Sequence, residues 1–198
     1  MISLAVIEDD EELAGLDDAQ VMVDVQHGDP AAFRILVERY KKRAYCLALK
    51  LVGDPDDAYD LSQEAFIRVY NARRRYDRRR PFYSWFYAIL SNLAKNHVKK
   101  RAVRSQYAAE VRGAGEAQLD ERESPEFIIE AGETRKAVWA AIEKLPYEHR
   151  EIIVLRHFED MSYEEIADLL GIPAGSVMSR LYYARKRLRE LLGDAYER

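Results

Sequence analysis

The sequence predicts an all-α protein of two helical domains joined by a flexible linker. Three observations carry that expectation. Apolar residues recur at spacings of three and four over long stretches, and no segment alternates apolar and polar residues over a strand's length. The 198-residue chain is 33% charged with only nine glycines and six prolines, a balance that suits a helix-rich chain. Its 48% hydrophobic share is enough for cores of ordinary size in one or two domains.

Residues 1–16 are acidic and lack helix caps, so they read as a mobile arm. A short helix is predicted from Asp17 to Gln26. Asp29-Pro30 then supplies an N-cap with proline at the first helical position, and Phe33, Leu36, Val37, Tyr40, Ala44, Leu47, Ala48 and Leu51 form one apolar stripe ending near Gly53. Asp54-Pro55 restarts the chain in the same way, with Ala58, Leu61, Ala65, Phe66 and Val69 facing inward. Asp57, Asp60, Gln63 and Glu64 gather on another face of that helix, either a solvated stripe or a contact for a basic partner.

The run Arg73 to Arg80 breaks the periodicity as a basic loop before Pro81 opens a fourth helix. Phe82, Trp85, Phe86, Ile89, Leu90 and Leu93 make its apolar side, leaving Asn92, Lys95, Asn96 and Lys99 on the other. Asparagine can match a base edge and lysine neutralises phosphate, so this face is a candidate nucleic-acid surface. Tyr83 and Tyr87 are expected either to offer rings to unpaired bases or to lie in the core, and Trp85 is expected in the core. From Arg104 to Glu123 no apolar stripe persists, and residues 105–123 read as the linker, separating a first domain at 17–104 from a second at 124–198. Ser124-Pro125 is read as the next N-cap, with the helix running to Pro146, and Tyr147 to Phe158 carries another.

The last stretch is the most informative. Ser162 and Glu165 form a capping box that opens a short helix ended by Gly171. After Ile172-Pro173-Ala174-Gly175, the positions Val177, Leu181, Ala184, Leu188 and Leu191 mark a second amphipathic helix. At about 100° per residue, Ser179, Tyr182, Tyr183 and Lys186 point away from that stripe, with Met178 and Arg189 on its flank. This is a helix-turn-helix pattern whose second helix can enter a DNA major groove, or two packed helices with a solvated basic face.

The net charge of −4 hides a segregation. Met1 to Asp24 carries Glu8, Asp9, Asp10, Glu11, Glu12, Asp17, Asp18 and Asp24 with no lysine or arginine, whereas Arg68 to Arg104 is strongly basic. Cys46, the single cysteine, is expected to pack as a small hydrophobe. His27, His97, His149 and His157 are scattered without metal spacing, so no metal or other cofactor is expected. No phosphate loop or nucleophile motif appears, which argues against an enzyme. The amino terminus lacks a basic start followed by an apolar run, and no stretch approaches the ~20 apolar residues of a membrane span, so a cytoplasmic protein without membrane insertion is expected.

Four blocks in order carry a family resemblance: GDPAAFRILVERY at Gly28 to Tyr40, DPDDAYDLSQEAFIRVY at Asp54 to Tyr70, PFYSWFYAILSNLAKNHVKKR at Pro81 to Arg101, and LPYEHREIIVLRHFEDMSYEEIADLLGIPAGSVMSRLYYARKRL at Leu145 to Leu188. The chain resembles the extracytoplasmic-function group of the sigma-70 family of bacterial RNA polymerase sigma factors. The resemblance implies sigma regions 2 and 4, and a protein that binds core RNA polymerase and directs it to promoter DNA. It implies that Asp60, Leu61, Gln63 and Glu64 dock the clamp helices of the largest subunit, with the polymerase flap as a further contact. It further implies that Asn92, Lys95, Asn96, Lys99, Lys100 and Arg101 read and hold the melted −10 strand, and that an anti-sigma factor is a partner.

For the −35 duplex, the resemblance points to Arg156, Ser176, Met178, Ser179, Arg180, Tyr182, Tyr183 and Lys186. The family string Gly-Thr-Val-Lys/Arg-Ser-Arg appears here as Gly175-Ser176-Val177-Met178-Ser179-Arg180. A thioether at Met178 cannot make the bidentate guanine contact available to arginine, so the −35 preference is expected to differ. The competing reading is a helix-turn-helix regulator that acts without polymerase.

Overall fold

Asp-Pro pairs start two of the long helices, and the reason is visible at each cap. In the computed structural model, which describes residues 17–112 and 133–193, Asp29 Oδ1 accepts from the Ala31 amide at 2.8 Å, and α2 runs Pro30–Val52. Asp54 Oδ1 accepts from the Asp56 and Asp57 amides, both at 3.0 Å, and α3 runs Pro55–Ala72. Each side chain satisfies amides that the first helical turn leaves without carbonyl partners. Ahead of them α1 spans Asp18–His27.

Between α2 and α3, Gly53 has φ +76°, in the left-handed region, and a Cβ there would come within 3.0 Å of Glu143 Oε1. The turn therefore requires glycine both for its backbone and for a close approach from the second domain.

A 3-10 turn at Arg73–Arg75 follows, and the long α4 runs Phe82–Arg112. The predicted linker at 105–123 is corrected in its first part, because residues 105–112 continue α4. Residues 99–107 are all exposed, so that stretch of the helix has no buried face to impose an apolar stripe. The arm at 1–16, the rest of the linker and the Ser124-Pro125 cap lie outside the described residues. Packed together, α1 to α4 bury an aromatic cluster in which Phe66 meets Phe86 at 4.9 Å and Tyr40 meets Phe82 at 5.2 Å between ring centroids. Trp85 is half-buried beside Tyr76, 5.2 Å away.

Four more helices form the second unit: α5 (Glu133–Glu143), α6 (Tyr147–His157), α7 (Tyr163–Leu170) and α8 (Ala174–Leu192). The capping box is complete, with Ser162 Oγ accepting from the Glu165 amide at 3.1 Å and Glu165 Oε2 accepting from the Ser162 amide at 2.7 Å. Gly171, at φ +64°, ends α7. Val177, Leu181 and Ala184 of α8 are buried against α6 and α7. Half-buried, Cys46 is a free thiol within α2.

The two units share a continuous core, with α6 packed on α2 and α7 on α4. Polar contacts fasten the seam. Buried Arg150 of α6 donates from Nη1 to the Leu51 carbonyl at 2.7 Å. Glu159, just past α6, accepts from Arg43 Nε at 2.9 Å, Lys50 Nζ at 3.4 Å and the Tyr83 hydroxyl at 3.1 Å. Buried Glu151 accepts from the Tyr87 hydroxyl at 3.1 Å and from Ser91 Oγ. Tyr147 adds a bond to the Ser91 carbonyl at 2.9 Å.

Candidate partner and nucleic-acid interfaces

The acidic face of α3 is divided by its neighbours. Asp60 and Gln63 are exposed. Glu64 is half-buried and accepts from Arg68 Nε at 2.8 Å, one helical turn on. Leu61 is buried at 9% exposure, so its side chain supports the face from the core and is not available for a partner; the apolar stripe of α3 claims it. Asp57 turns instead toward α4, where His97 Nε2 donates to its Oδ2 at 2.9 Å and Arg101 Nη1 stands 3.9 Å away.

Tyr59 and Ile67 are the exposed apolar residues on α3, at 58% and 54%. Sequence periodicity had no reason to single them out, although each falls outside the buried stripe. Next to Gln63, a groove of about 670 Å³ between α2 and α3 is lined by Val37, Tyr45, Tyr59 and Phe66, with Lys41 and Lys42 at its edge. An apolar groove with polar edges is a surface on which a partner helix can lie.

On α4 the expected polar face is present. Asn92, Lys95, Asn96, Lys99, Lys100 and Arg101 are all exposed and follow one another over nearly three turns. Lys95 is paired with Glu148 of α6 at 3.1 Å, and its hydrogen bond is the main reason the Glu148 carboxyl is held below the usual carboxylate range.

The tyrosines are a different matter. Tyr87 is 1% exposed and Tyr83 is half-buried beneath the Arg43 guanidinium, 3.8 Å from its ring centroid. Their rings are thus not offered to bases. Burial, followed by the nearby Glu151 and Glu159 carboxylates respectively, pushes both phenols well above their ordinary range, leaving them as neutral hydrogen-bond donors across the seam. Burial also raises the Glu151 carboxyl, against the opposing bonds from Ser91 and Tyr87 and the charges of Lys95 and Arg180.

The outer face of α8 carries Met178, Tyr182 and Tyr183 at 52%, 64% and 57% exposure. Tyr182 and Tyr183 meet edge-on at 5.3 Å, Lys186 and Ser179 are exposed, and Ser176 and Arg180 are half-buried. Ser179 Oγ donates back to the Gly175 carbonyl at 2.9 Å. Half-buried Arg156 donates from Nη1 to the Met161 carbonyl at 2.9 Å and lies 5.6 Å from the Tyr163 ring centroid. It therefore fixes the loop before α7 as well as bordering the outer face. Among the described residues, no helix is long and apolar enough to cross a membrane.

Comparisons with known proteins agree with this arrangement. Residues 36–104 match the family model for sigma-70 region 2, and residues 135–188 match that for sigma-70 region 4. The chain is 38% identical over 187 residues to the RNA polymerase sigma-H factor of Pseudomonas aeruginosa, covering 90% of this chain and 97% of that protein. It is 33% identical over 175 residues to the ECF RNA polymerase sigma factor SigW of Bacillus subtilis, covering 86% and 94%. With the ECF RNA polymerase sigma-E factor of Escherichia coli K12 it shares 38% over 176 residues, covering 85% and 91%.

Among solved structures, CnrH in complex with the cytosolic domain of CnrY superposes with a TM-score of 0.64 at 26% identity, covering 90% of this chain and 98% of the other. The sigma factor RpoE of Bartonella quintana, solved with the anti-sigma factor NepR, has the same fold, with a TM-score of 0.61 at 24% identity and coverage of 84% and 98%.

Proposed function

Because the chain belongs to the extracytoplasmic-function group of sigma-70 factors and thus directs promoter-specific transcription, we propose that it divides this task among three surfaces. The Asp60-Gln63-Glu64 face of α3, with the apolar groove beside it, docks the polymerase clamp helices. The Asn92-to-Arg101 face of α4 captures the melted −10 strand. The outer face of α8 reads the −35 duplex. The protein itself catalyses nothing; RNA synthesis belongs to the polymerase.

The observation that carries this reading is the tie between α3 and α4. Asp57 joins His97 and Arg101, so the docking helix and the strand-binding helix are held in fixed register. Polymerase bound on one helix therefore positions the other against DNA. An exposed Asn92 has a donor and an acceptor for a base edge, and a flipped base must find such partners to repay the few kcal/mol of unstacking. Lys95, Lys99 and Lys100 neutralise phosphates nearby, a contribution that falls steeply with salt.

An inhibitory protein partner is part of this proposal. The sigma factor RpoE was solved with the anti-sigma factor NepR, and CnrH with the cytosolic domain of CnrY; the groove beside Gln63 offers such a partner the surface that polymerase would use.

Run-off transcription with purified core polymerase tests the whole reading; absence of polymerase association would overturn it. Within it, Asn92→Ala is expected to impair open-complex formation, followed by permanganate reactivity of the −10 region, while core binding stays intact. Equal loss of both would show that Asn92 serves folding and not strand capture.

A further inference from the structure

We propose that residues 2–12 of this chain dock in the groove between Tyr163 of α7 and the outer face of α8, covering that face in the free protein. The groove, about 490 Å³, has an apolar floor of Tyr163, Met178, Leu181 and Tyr182. Its edge is cationic, made by Arg185, Lys186 and Arg189. Lys186 and Arg189 have no carboxylate partner among the described residues, and Arg185 has only His157 Nε2, at 3.4 Å. Arg187, which stands outside the groove, is paired with Glu190 at 2.9 Å. Among the described residues no carboxylate neutralises the cations at the groove, and they stand beside apolar side chains more than half exposed at Met178 and Tyr182.

The amino-terminal segment has the complementary composition. Ile2, Leu4, Val6 and Ile7 are followed by Glu8, Asp9, Asp10, Glu11 and Glu12, with no lysine or arginine before Arg34. Apolar residues match the floor and five carboxylates match the edge. Salt screens such pairs over roughly 8–10 Å, so the docking is strongest at low ionic strength.

The point where the arm leaves the described structure favours the same occupant. Asp18 accepts a hydrogen bond from Tyr40, whose ring stacks on Tyr83 at 6.1 Å, and the Tyr83 hydroxyl donates to Glu159 at 3.1 Å. Glu159 is four residues before Tyr163, at the groove. With residues 2–12 in the groove, residues 13–17 are the tether to the start of α1, and extended they span ~18 Å. A tether of this length holds the arm at an effective concentration of the order of millimolar, so an intrinsic affinity in the millimolar range already leaves the groove occupied about half the time.

The docking stands on composition and charge; its consequence for promoter binding rests on the −35 reading proposed above. Hydroxyl-radical footprinting with mass spectrometry tests the docking in three chains: the full protein, one lacking residues 2–13, and one of full length carrying Glu8→Gln, Asp9→Asn, Asp10→Asn, Glu11→Gln and Glu12→Gln. At low salt, Met178 and Tyr182 are expected to label about twofold or more faster in both variants, as half-occupancy by the tether implies, with Tyr107 on α4 unchanged. Equal labelling in the three chains overturns the docking. So does protection that grows with protein concentration, which would assign the groove to a second copy. Affinity for −35 duplex without polymerase, measured on the same chains, is expected to rise when the arm is removed or neutralised. Faster labelling with unchanged DNA affinity would keep the docking and remove the −35 reading of α8.

Discussion

Substituting Glu159 by alanine removes the acceptor that Arg43, Lys50 and Tyr83 share across the seam between the two domains. Its carboxylate is 6% exposed, and Lys50 is 16% exposed, whereas Arg43 is 45% exposed. The Tyr83 bond to a charged acceptor is worth about 1.5–3 kcal/mol. Arg43 regains water readily, and its share is held to under ~1 kcal/mol. Lys50 keeps the Phe158 ring at 5.2 Å, so its loss is partial. Together the change weakens the packed arrangement by about 2–4 kcal/mol, which is roughly 30- to 700-fold in the ratio of packed to separated domains. Small-angle scattering during a urea titration reads this directly, because separation raises the radius of gyration before either helical unit melts. Glu159→Ala is expected to move that first transition to lower urea, while Glu38→Ala, which removes an exposed pair with Lys41 on α2, leaves it in place. A shift under ~1 kcal/mol for Glu159→Ala would refute the reasoning and show that the apolar seam alone holds the domains.

Three further outcomes are expected. Burial raises the Glu151 carboxyl, so the packed form binds its proton more tightly than the separated form; packing is then strongest below the ordinary carboxyl range and weakens as pH rises through the raised value. Scattering across pH checks this, and Glu151→Gln should flatten the dependence. Met178→Arg restores a cation able to pair with guanine O6 and N7, and selection of −35 variants should yield a changed preference worth about 1–3 kcal/mol at one position; an unchanged preference would take Met178 off the reading face. Gly53→Ala must adopt φ +76° and press on Glu143, so a loss of about 1–3 kcal/mol is expected in thermal unfolding, with no loss for Ala at Gly175, where nothing lies within 4 Å of a Cβ.

The helices were legible where the signal is local. Asp29-Pro30, Asp54-Pro55 and the Ser162-Glu165 box each satisfy amides within three residues, so their meaning can be read along the chain, and α2, α3 and α7 begin where those pairs stand. The apolar stripe of α8 was equally legible, and its outer residues Met178, Tyr182 and Tyr183 are exposed as the 100° geometry requires. Tyr87 and Glu151 were not. For Tyr87 a base platform and a core position were both open, and nothing local marked Glu151, because the two partners lie 64 residues apart in the chain. The end of α4 was missed for the opposite reason: residues 101–107 are all exposed, so the helix runs through them without the periodicity that would announce it. Leu61 sits in the core because the stripe of α3 outranks the motif that drew attention to it.

The packed domains and the proposed promoter-bound state compete for the same side chains. Lys95 cannot neutralise a strand phosphate while it holds Glu148 at 3.1 Å, and Ser91, one residue before Asn92, is tied by Glu151 and Tyr147. Any partner that needs this face free must bind the separated arrangement more tightly, and by linkage it shifts the population by no more than that difference in affinity. In the proposed state the promoter strand on α4 supplies that difference, whereas the Asp60 and Gln63 side chains of α3 are already exposed with the domains packed. A protein that instead covers the α2–α3 groove leaves the Glu148, Glu151 and Glu159 contacts intact. The strength of the seam thus sets how much free energy strand binding must provide, and weakening Glu159 should raise DNA binding without polymerase.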